Sequence, residues 1–455
     1  MADFNKDGFD DLVVGAPGEA PGSAPKSGFA FVFNGSQNGL VARQGLGQAG
    51  LGANEAGDRF GESLAVGDFN GDGFDDLVVG APGEAPGSAP KSGFAFVFNG
   101  SQNGLVASQG LSQAGLGANE ADDRFGESLA VGDFNGDGFD DLVVGAPGEA
   151  PGSAPKSGFA FVFNGSQNGL VASQGLSQAG LGANEADDRF GESLAVGDFN
   201  GDGFDDLVVG APGEAPGSAP KSGFAFVFNG SQNGLVARQG LGQAGLGANE
   251  ADDRFGESLA VGDFNGDGFD DLVVGAPGEA PGSAPKSGFA FVFNGSQNGL
   301  VASQGLSQAG LGANEAGDRF GESLAVGDFN GDGFDDLVVG APGEAPGSAP
   351  KSGFAFVFNG SQNGLVASQG LSQAGLGANE AGDRFGESLA VGDFNGDGFD
   401  DLGVGAPGEA PGSDPKSGFA FIFHGSANGL VPSQGLDQAG LGANEAGDLF
   451  GAALA

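Results

Sequence analysis

The sequence lacks several residue types on which common functions depend. It contains no Cys, Trp or Tyr, and only one His and one Met among 455 residues. The absence of Cys excludes disulfides, thiol nucleophiles and thiolate metal sites. The single His424 leaves the repeated serines without a histidine base, so a Ser-His-Asp triad in each repeat is excluded. We interpret His424 as a turn residue.

Basic residues are also scarce. Lys and Arg number 16 against 60 Asp and Glu, which gives a net charge of −44. An excess of this size argues against nucleic acid or an anionic membrane as a partner. The sequence has no apolar run of 18 or more residues and no apolar leader after Met1. We therefore expect neither a membrane span nor a signal peptide in this chain.

A unit of 65 residues occurs seven times in tandem, and a unit of this kind must bury its faces against its neighbours. We therefore predict a single domain over residues 1–455. Its repeats are 1–65, 66–130, 131–195, 196–260, 261–325, 326–390 and 391–455. The copies are nearly identical. Substitutions shared by consecutive copies, such as Asp122, Asp187 and Asp252, favour recent segment duplication over design from one unit.

Each unit contains four short stretches with strand character and no helical pattern. In the second unit we place strands at 77–79, 94–98 and 105–111, and the last strand at 124–131. Segments rich in Gly, Pro, Ser and Asn separate them, which is typical of loops and tight turns. Tandem units of four strands are typical of propeller blades. The predicted fold class is all-β, a seven-bladed β-propeller with four antiparallel strands per blade.

The two ends of the sequence predict how the ring closes. The chain begins without the strand that precedes the equivalent loop in every other unit, and residues 448–455 match that strand. We expect the C-terminal strand to complete the first blade, which leaves no open sheet edge. The expected product is a monomeric ring. All 42 Phe residues, six in each unit, are assigned to its core.

One motif, Asp-x-Asn-x-Asp-Gly-x-x-Asp, occurs once in every unit. It provides side-chain oxygens and one backbone carbonyl, a donor set that favours Ca²⁺ over Zn²⁺ or Cu²⁺. Gly73 occupies the position of the sharp turn, where a positive φ is favoured. Position twelve of the loop is Val79, whereas an EF-hand requires Glu there, so an EF-hand is excluded. A surface turn rich in Asp and Asn is the alternative interpretation.

The motif predicts seven calcium sites with five ligands each, the Phe residues acting through their carbonyl oxygens. Seven Ca²⁺ ions would offset 14 of the 44 excess negative charges. The predicted ligands are Asp3, Asn5, Asp7, Phe9, Asp11, Asp68, Asn70, Asp72, Phe74, Asp76, Asp133, Asn135, Asp137, Phe139, Asp141, Asp198, Asn200, Asp202, Phe204, Asp206, Asp263, Asn265, Asp267, Phe269, Asp271, Asp328, Asn330, Asp332, Phe334, Asp336, Asp393, Asn395, Asp397, Phe399 and Asp401.

Phe60-Gly61 and Gly80-Ala81-Pro82, with the acidic loop between them, resemble the FG-GAP repeat of integrin α-subunit propellers. Related repeats occur in bacterial surface proteins and in some lectins and phospholipases. The resemblance covers the whole chain and implies that the loop between the first two strands of each blade binds Ca²⁺. Asn70 replaces an acid that is more common at its position. Lys6 places a cation beside the first loop, where the other copies have Gly.

These observations favour a calcium-stabilised interaction or adhesion scaffold with no catalytic activity of its own, secreted or exposed at the cell surface. A glycan-binding lectin and an accessory module of a larger secreted enzyme are the alternatives, and the protein or glycan ligand is unknown. We expect the metal loops to share one face with the turns at 99–104. The opposite face would carry a partner site with Glu84, Lys91, Asn119, Glu120, Arg124 and their counterparts.

Overall fold

The computed structural model of the chain describes most of the sequence, in ranges separated by short gaps within loops. The described residues are 2–21, 24–48, 51–52, 54–87, 89–113, 116–117, 119–152, 154–182, 184–217, 219–243, 247, 249–282, 284–309, 311–312, 314–347, 349–374, 376–377, 379–410, 415–438 and 445–455. Positions 88, 114, 115 and 118 of the predicted loops lie outside this set. The described part of the chain contains strands and no helix, and hence no helix able to cross a membrane.

The strands form seven antiparallel sheets of four. The innermost strand of each sheet is one of β4 (Ser63–Gly67), β8 (Ser128–Gly132), β12 (Ser193–Gly197), β16 (Ser258–Gly262), β20 (Leu324–Gly327), β24 (Leu389–Gly392) and β28 (Ala453–Leu454). The second strands are β1 (Leu12–Ala16), β5 (Asp76–Ala81), β9 (Asp141–Ala146), β13 (Asp206–Ala211), β17 (Asp271–Ala276), β21 (Asp336–Ala341) and β25 (Asp401–Ala406).

The two outer strands of each sheet follow in chain order. The third strands are β2 (Phe29–Asn34), β6 (Phe94–Asn99), β10 (Phe159–Asn164), β14 (Phe224–Asn229), β18 (Phe289–Asn294), β22 (Phe354–Asn359) and β26 (Phe419–His424). The outermost strands are β3 (Val41–Leu46), β7 (Val106–Leu111), β11 (Val171–Leu176), β15 (Val236–Leu241), β19 (Val301–Leu306), β23 (Val366–Leu371) and β27 (Val431–Leu436).

The first sheet closes the ring, as the sequence predicts. Its order is β28-β1-β2-β3, so the last strand of the chain pairs with the first. Val14 lies opposite Leu454 and Gly15 opposite Ala453 in that antiparallel pair. Every other blade takes its innermost strand from the end of the preceding repeat. The prediction of a seven-bladed propeller with this closure is confirmed.

The cores lie between blades, because each sheet is covered on both faces by its neighbours. Residues of the third strand alternate between two cores, with large side chains on one face and small ones on the other. In β6, Phe96 and Phe98 pack toward the first blade, whereas Ala95 and Val97 pack toward the third. Phe60 contributes from the segment before β4, and its ring lies 5.4 Å from that of Phe96. Side chains of a strand point alternately to the two faces of its sheet, and both faces are covered here. This explains why the third strand is apolar at nearly every position.

The assignment of every Phe to the core is wrong for Phe74 and its equivalents, and Phe94 and its equivalents lie at the margin of the core. Phe74 in the acidic loop and Phe94 at the start of β6 are both half-buried. Phe94 is the first residue of β6 and packs against the core between the first and second blades. The Leu, Ala and Val side chains of the innermost strands, such as Leu129 and Val131, line a central channel of about 500 Å³.

Candidate metal centres

The seven acidic loops lie on one face of the ring, each connecting the innermost strand of a blade to its second strand. In the second blade the loop follows β4 and ends at Asp76, the first residue of β5. The Gly100 N–H donates to Asp76 Oδ1 at 2.9 Å, which ties the turn after β6 to the same loop. The acidic loops and the turns at 99–104 therefore share a face, as expected.

The oxygens of three predicted ligands of the second loop accept hydrogen bonds from the backbone of the loop itself. Asp68 accepts from the N–H of Asp72 at 3.1 Å and of Gly73 at 2.7 Å. Asn70 Oδ1 also accepts from the Asp72 N–H, at 3.0 Å. Asp72 Oδ1 accepts from the Phe74 N–H at 2.9 Å. Each side chain thus stabilises the turn that holds the others.

Asp76 lies apart from the exposed acids of its loop. It is almost fully buried, and the Asn70 Nδ2 donates to its Oδ2 at 2.9 Å. The pKa of Asp76 is raised to about 6, chiefly by burial and also by the nearby Asp72 and Asp68 carboxylates, while hydrogen bonds from Gly100 and Asn70 oppose the shift. Concentrating acidic groups around a buried carboxyl is unfavourable unless a proton or a cation offsets the charge.

The side chains do not converge on a common point. Among the described residues, no three Asp, Glu, His or Cys side chains form a group able to hold a metal ion. The chemistry of the donor set nevertheless fits a hard cation, since only oxygens are offered. Calcium binding would require Asp68 and Asp72 to exchange some of their N–H contacts for the ion.

Two glycines of the loop adopt the left-handed backbone conformation that the sequence predicts for one of them. Gly73 has a φ of 80° and Gly71 a φ of 69°. A Cβ at Gly71 would lie 2.6 Å from the ring of Phe139, which reaches over from the next loop. Lys6 occupies the Gly71 position in the first loop with a φ of 57°. Its ammonium lies 4.6 Å from the centre of the Phe74 ring.

The loops are joined to one another by an acid to which sequence analysis assigned no role. Asp140 precedes the last predicted ligand of the third loop, and its Oδ2 accepts from the Asp68 N–H of the second loop at 2.8 Å. The same bond joins every adjacent pair of loops, with acceptors Asp10, Asp75, Asp140, Asp205, Asp270, Asp335 and Asp400. The paired acids at the end of each motif are the only sequence signal for this role.

His424 lies beside the seventh loop, at the end of β26. Burial lowers its pKa, while the Asp397 and Asp393 carboxylates oppose that effect. It occupies the position of Asn99 in the second blade, at the junction between strand and turn. His424 is the last residue of β26 and pairs with Val431 of β27, so its interpretation as a turn residue is wrong.

The predicted partner face differs in part from expectation. Lys91, Asn119 and Glu120 are exposed, but Glu84 is buried. Arg124 forms an ion pair with Glu127 three residues later. Six repeats contain this pair. The last repeat has Leu449 and Ala452 at the two positions, so both partners are replaced together.

A family model for the FG-GAP repeat matches the chain seven times. The matched residues are 1–33, 60–98, 125–163, 190–228, 255–293, 320–358 and 385–423. Each match spans an acidic loop and the strands around it. The chain belongs to the FG-GAP repeat family. The resemblance identified in the sequence is therefore confirmed.

Several curated FG-GAP proteins are similar to the chain. Integrin alpha-4 of Xenopus laevis is 29% identical over 269 residues, which cover 59% of this chain and 24% of that protein. Phosphatidylinositol-glycan-specific phospholipase D of Bos taurus is 28% identical over 420 residues, which cover 85% of this chain and 50% of that protein. The chain thus spans between about a quarter and a half of the length of these relatives.

Solved structures share the fold. A putative 6-phosphogluconolactonase from Bacteroides fragilis superposes with a TM-score of 0.56 at 14% identity, and the match covers 99% of this chain and 98% of that one. At this identity the likeness concerns the arrangement of the blades alone.

Proposed function

We propose that the chain is a calcium-stabilised interaction scaffold without catalytic activity of its own, acting outside the cell or at its surface. The observation that carries the proposal is the sevenfold repetition of one all-oxygen loop on one face of a closed ring. Each loop contributes three Asp carboxylates and one Asn, together with a backbone carbonyl. Membership of the FG-GAP family and similarity to integrin alpha chains support it.

In each loop, Asp68, Asn70, Asp72, the Phe74 carbonyl and Asp76, or their equivalents, would hold the ion. Calcium would supply positive charge to a cluster that otherwise places a buried carboxyl beside two further acids. A metal that binds only the folded protein stabilises it by about 2.7 kcal/mol per site at a hundredfold excess over Kd. Since Asp140 and its equivalents join adjacent loops, ordering one loop also orders the next.

The scaffold assignment follows from symmetry and composition. Near-identical blades provide seven copies of every surface, which suits multivalent binding, since linked weak sites gain avidity. The chain has a single His and no Cys, so common nucleophile and base pairs cannot recur with the repeats.

The test is native mass spectrometry combined with thermal unfolding, in calcium and after chelation. We expect up to seven bound Ca²⁺ ions and a large fall in melting temperature on chelation. Asp72→Asn, introduced together with the equivalent change in the other six loops, should abolish the calcium response because it removes one carboxylate ligand from each loop. Asp72 is exposed, so its replacement leaves the core intact. No bound metal together with an unchanged melting temperature would refute calcium binding.

A matched control separates metal binding from general charge. Asp122, Asp187 and Asp252 are exposed acids outside the loops, and other repeats have Gly at these positions. Replacing the three by Gly removes negative charge without touching a predicted ligand. Calcium stoichiometry and the effect of chelation should be unchanged in this variant.

A module of a larger enzyme is the second candidate. The match to bovine phosphatidylinositol-glycan-specific phospholipase D, over 85% of this chain but half of that protein, favours it. Under this alternative the ring would support a catalytic domain elsewhere in a longer chain. Hydrolytic activity of the isolated 455-residue chain on phospholipid or lactone substrates would contradict a purely non-catalytic scaffold.

A further inference from the structure

A small pocket recurs between blades on the face opposite the acidic loops. In the second blade, Leu51, Glu55, Glu84, Pro86 and Phe94 line a cavity of about 310 Å³. Equivalent cavities of about 320 and 290 Å³ occur in the third and sixth blades. Their lining residues include Leu116, Glu120, Glu149, Pro151 and Phe159 in one case, and Leu311, Glu315, Glu344, Pro346 and Phe354 in the other.

Each pocket contains a buried carboxyl oxygen that accepts no hydrogen bond from an N–H group. Glu84 is 5% exposed, and its Oε2 is fully buried and has no such donor. Its carboxyl group interacts with that of Asp58, which requires a proton or another cation between the two acids. A Cβ built on Gly52, another residue of the pocket wall, would lie 3.9 Å from this oxygen. The same oxygen lacks an N–H donor in Glu19, Glu84, Glu149, Glu214, Glu279, Glu344 and Glu409. A buried unsatisfied acceptor is costly, and its repetition indicates a position that a donor can fill.

The charged side chains around Glu84 Oε2 are acidic. Asp58 is buried beside Glu84 and accepts from the Glu55 N–H at 2.6 Å and from the side-chain amide of Gln48. The pKa of Glu84 is raised to about 7, chiefly by burial and then by repulsion from Asp58 and Glu55. A positively charged group would relieve this repulsion.

The rest of the pocket is apolar. Phe94 is half-buried, and its ring lies 4.9 Å from that of the buried Phe96. Leu51 and Pro86 complete the wall. An aromatic face beside a carboxylate attracts organic cations, and an alkyl chain can cover the apolar surface while its charged end reaches the acid. A bare metal ion would leave that apolar wall unused.

We propose that these inter-blade pockets bind alkylammonium groups, such as the side chain of a lysine on a basic partner. The ammonium would donate to Glu84 Oε2, Glu55 would attract it at the rim, and its alkyl chain would lie against Phe94 and Leu51. This inference names a ligand class for the scaffold of the proposed function but does not require calcium binding. The recurrence of this pocket in at least three blades on one face would favour a partner with several lysines.

Saturation-transfer NMR on the folded protein in calcium tests the proposal. The probe is Nα-acetyl-lysine N-methylamide, and the comparison compound carries a further acetyl group on Nε, which removes the charge and keeps the chain. We expect saturation transfer to the alkyl protons of the charged compound and at least a fivefold weaker signal for the neutral one. Equal signals from the two compounds, or none from either, would overturn the proposal.

Matched variants locate the site. E84Q/E149Q/E344Q removes the carboxylates of the three described pockets, whereas D122G/D187G/D252G removes three exposed acids that do not line them. The first should lose roughly 40% of the signal if the pocket forms in all seven repeats and the sites act independently, and the second should lose none. Equal losses would mean general electrostatic attraction and would overturn the assignment.

A second set of variants keeps the test independent of folding. E55Q/E120Q/E315Q alters only exposed residues at the rims of the three described pockets and should also weaken the signal, with circular dichroism and melting temperature unchanged. A panel of monosaccharides is measured in parallel. Saturation transfer to a sugar and not to the ammonium compound would replace the proposal with a glycan site. Loss of the calcium response with a retained ammonium signal would reject only the proposed role of calcium.

Discussion

The Oδ2 of Asp10 accepts a hydrogen bond from the backbone N–H of Asp393 at 2.8 Å, although 383 positions separate them. The two residues belong to the first and last acidic loops. The equivalent bond between Asp140 and Asp68, within the ring, has the same length. The junction that closes the ring therefore uses the same contact between loops as the internal junctions.

Replacing Asp10 by Ala should destabilise the protein by about 1–2 kcal/mol, because the Asp393 N–H loses its acceptor. Replacement by Asn, which keeps an acceptor oxygen, should cost less. Guanidinium denaturation at fixed calcium measures both. Ala at Asp140 is the control, and a similar loss there would show that closing and internal junctions are equivalent. Unchanged stability in both Ala variants would contradict a structural role for these acids.

A serine at position 453 should stabilise the closing junction. At internal junctions a Ser hydroxyl of the innermost strand donates to the next blade, as Ser63 Oγ does to the Gly126 carbonyl at 2.7 Å. Ala453 occupies the corresponding position in β28 and faces the Gly61 carbonyl without a donor. We expect A453S to add about 0.5–1.5 kcal/mol, measured by thermal and denaturant unfolding. S63A is the reverse control, and a loss of stability in A453S would show that the closing strand is placed differently.

Replacing Lys6 by Gly should strengthen calcium binding at the second loop, over which its ammonium lies, and at the first loop, to which Lys6 belongs, if the loops bind calcium as proposed. The substitution removes a cation that lies over Phe74. It also places glycine at a position with a positive φ, which glycine adopts with less strain than lysine. A unit charge a few ångströms from an exposed ion is worth about 1 kcal/mol in a water-like medium, or roughly fivefold in affinity. Terbium luminescence titration of K6G against the parent chain measures the change. Equal affinity at all loops of both proteins would contradict it.

Stability should fall as pH rises through the range in which the pocket carboxyls ionise. The pKa of Glu84 is raised from 4.5 to about 7 in the folded state, and the same holds for Glu149 and Glu279. Between these values the folded protein binds more protons than the unfolded chain, so raising the pH favours unfolding. The melting temperature at fixed calcium should therefore be higher near pH 5 than near pH 8.

Gln at all seven Glu84-type positions should flatten that profile, because an amide does not titrate. The D122G/D187G/D252G variant should keep the slope, since its acids are exposed. A slope unchanged in the sevenfold Gln variant would assign the pH dependence to other carboxyls, such as Glu127, whose pKa burial also raises to about 7.

The architecture was predictable from the sequence because the same pattern of four strands recurs in all seven repeats. The length of the repeat gives the size of a blade, and the strand missing at the N-terminus but present at the C-terminus shows how the ring closes. The role of Asp140 was not predictable, because its partner is a backbone N–H 72 positions away and the motif already explains an acid at this point. Reasoning from residues that are close in the sequence does not reveal contacts between different blades.

The burial of Glu84 was missed for a related reason. A charged residue among Gly, Ala and Pro is expected at the surface, but backbone bonds hold it inside on both sides. The Glu84 N–H donates to the Ala81 carbonyl at 3.0 Å, and the Gly93 N–H donates to the Glu84 carbonyl at 2.9 Å. The side chain then lies against Asp58, a contact between two acids that composition alone argues against.

The one-strand offset between repeat and blade has an evolutionary consequence. Every blade boundary is nearly the same junction, so recombination out of register at any repeat inserts or removes a whole blade and preserves the complementary ends. A circular permutation that begins at another repeat would likewise keep every strand pairing shown by β28 and β1. The number of blades is then limited by the curvature at which neighbouring sheets pack. An array of this kind can gain or lose one blade at a time without passing through a form whose ring is not closed.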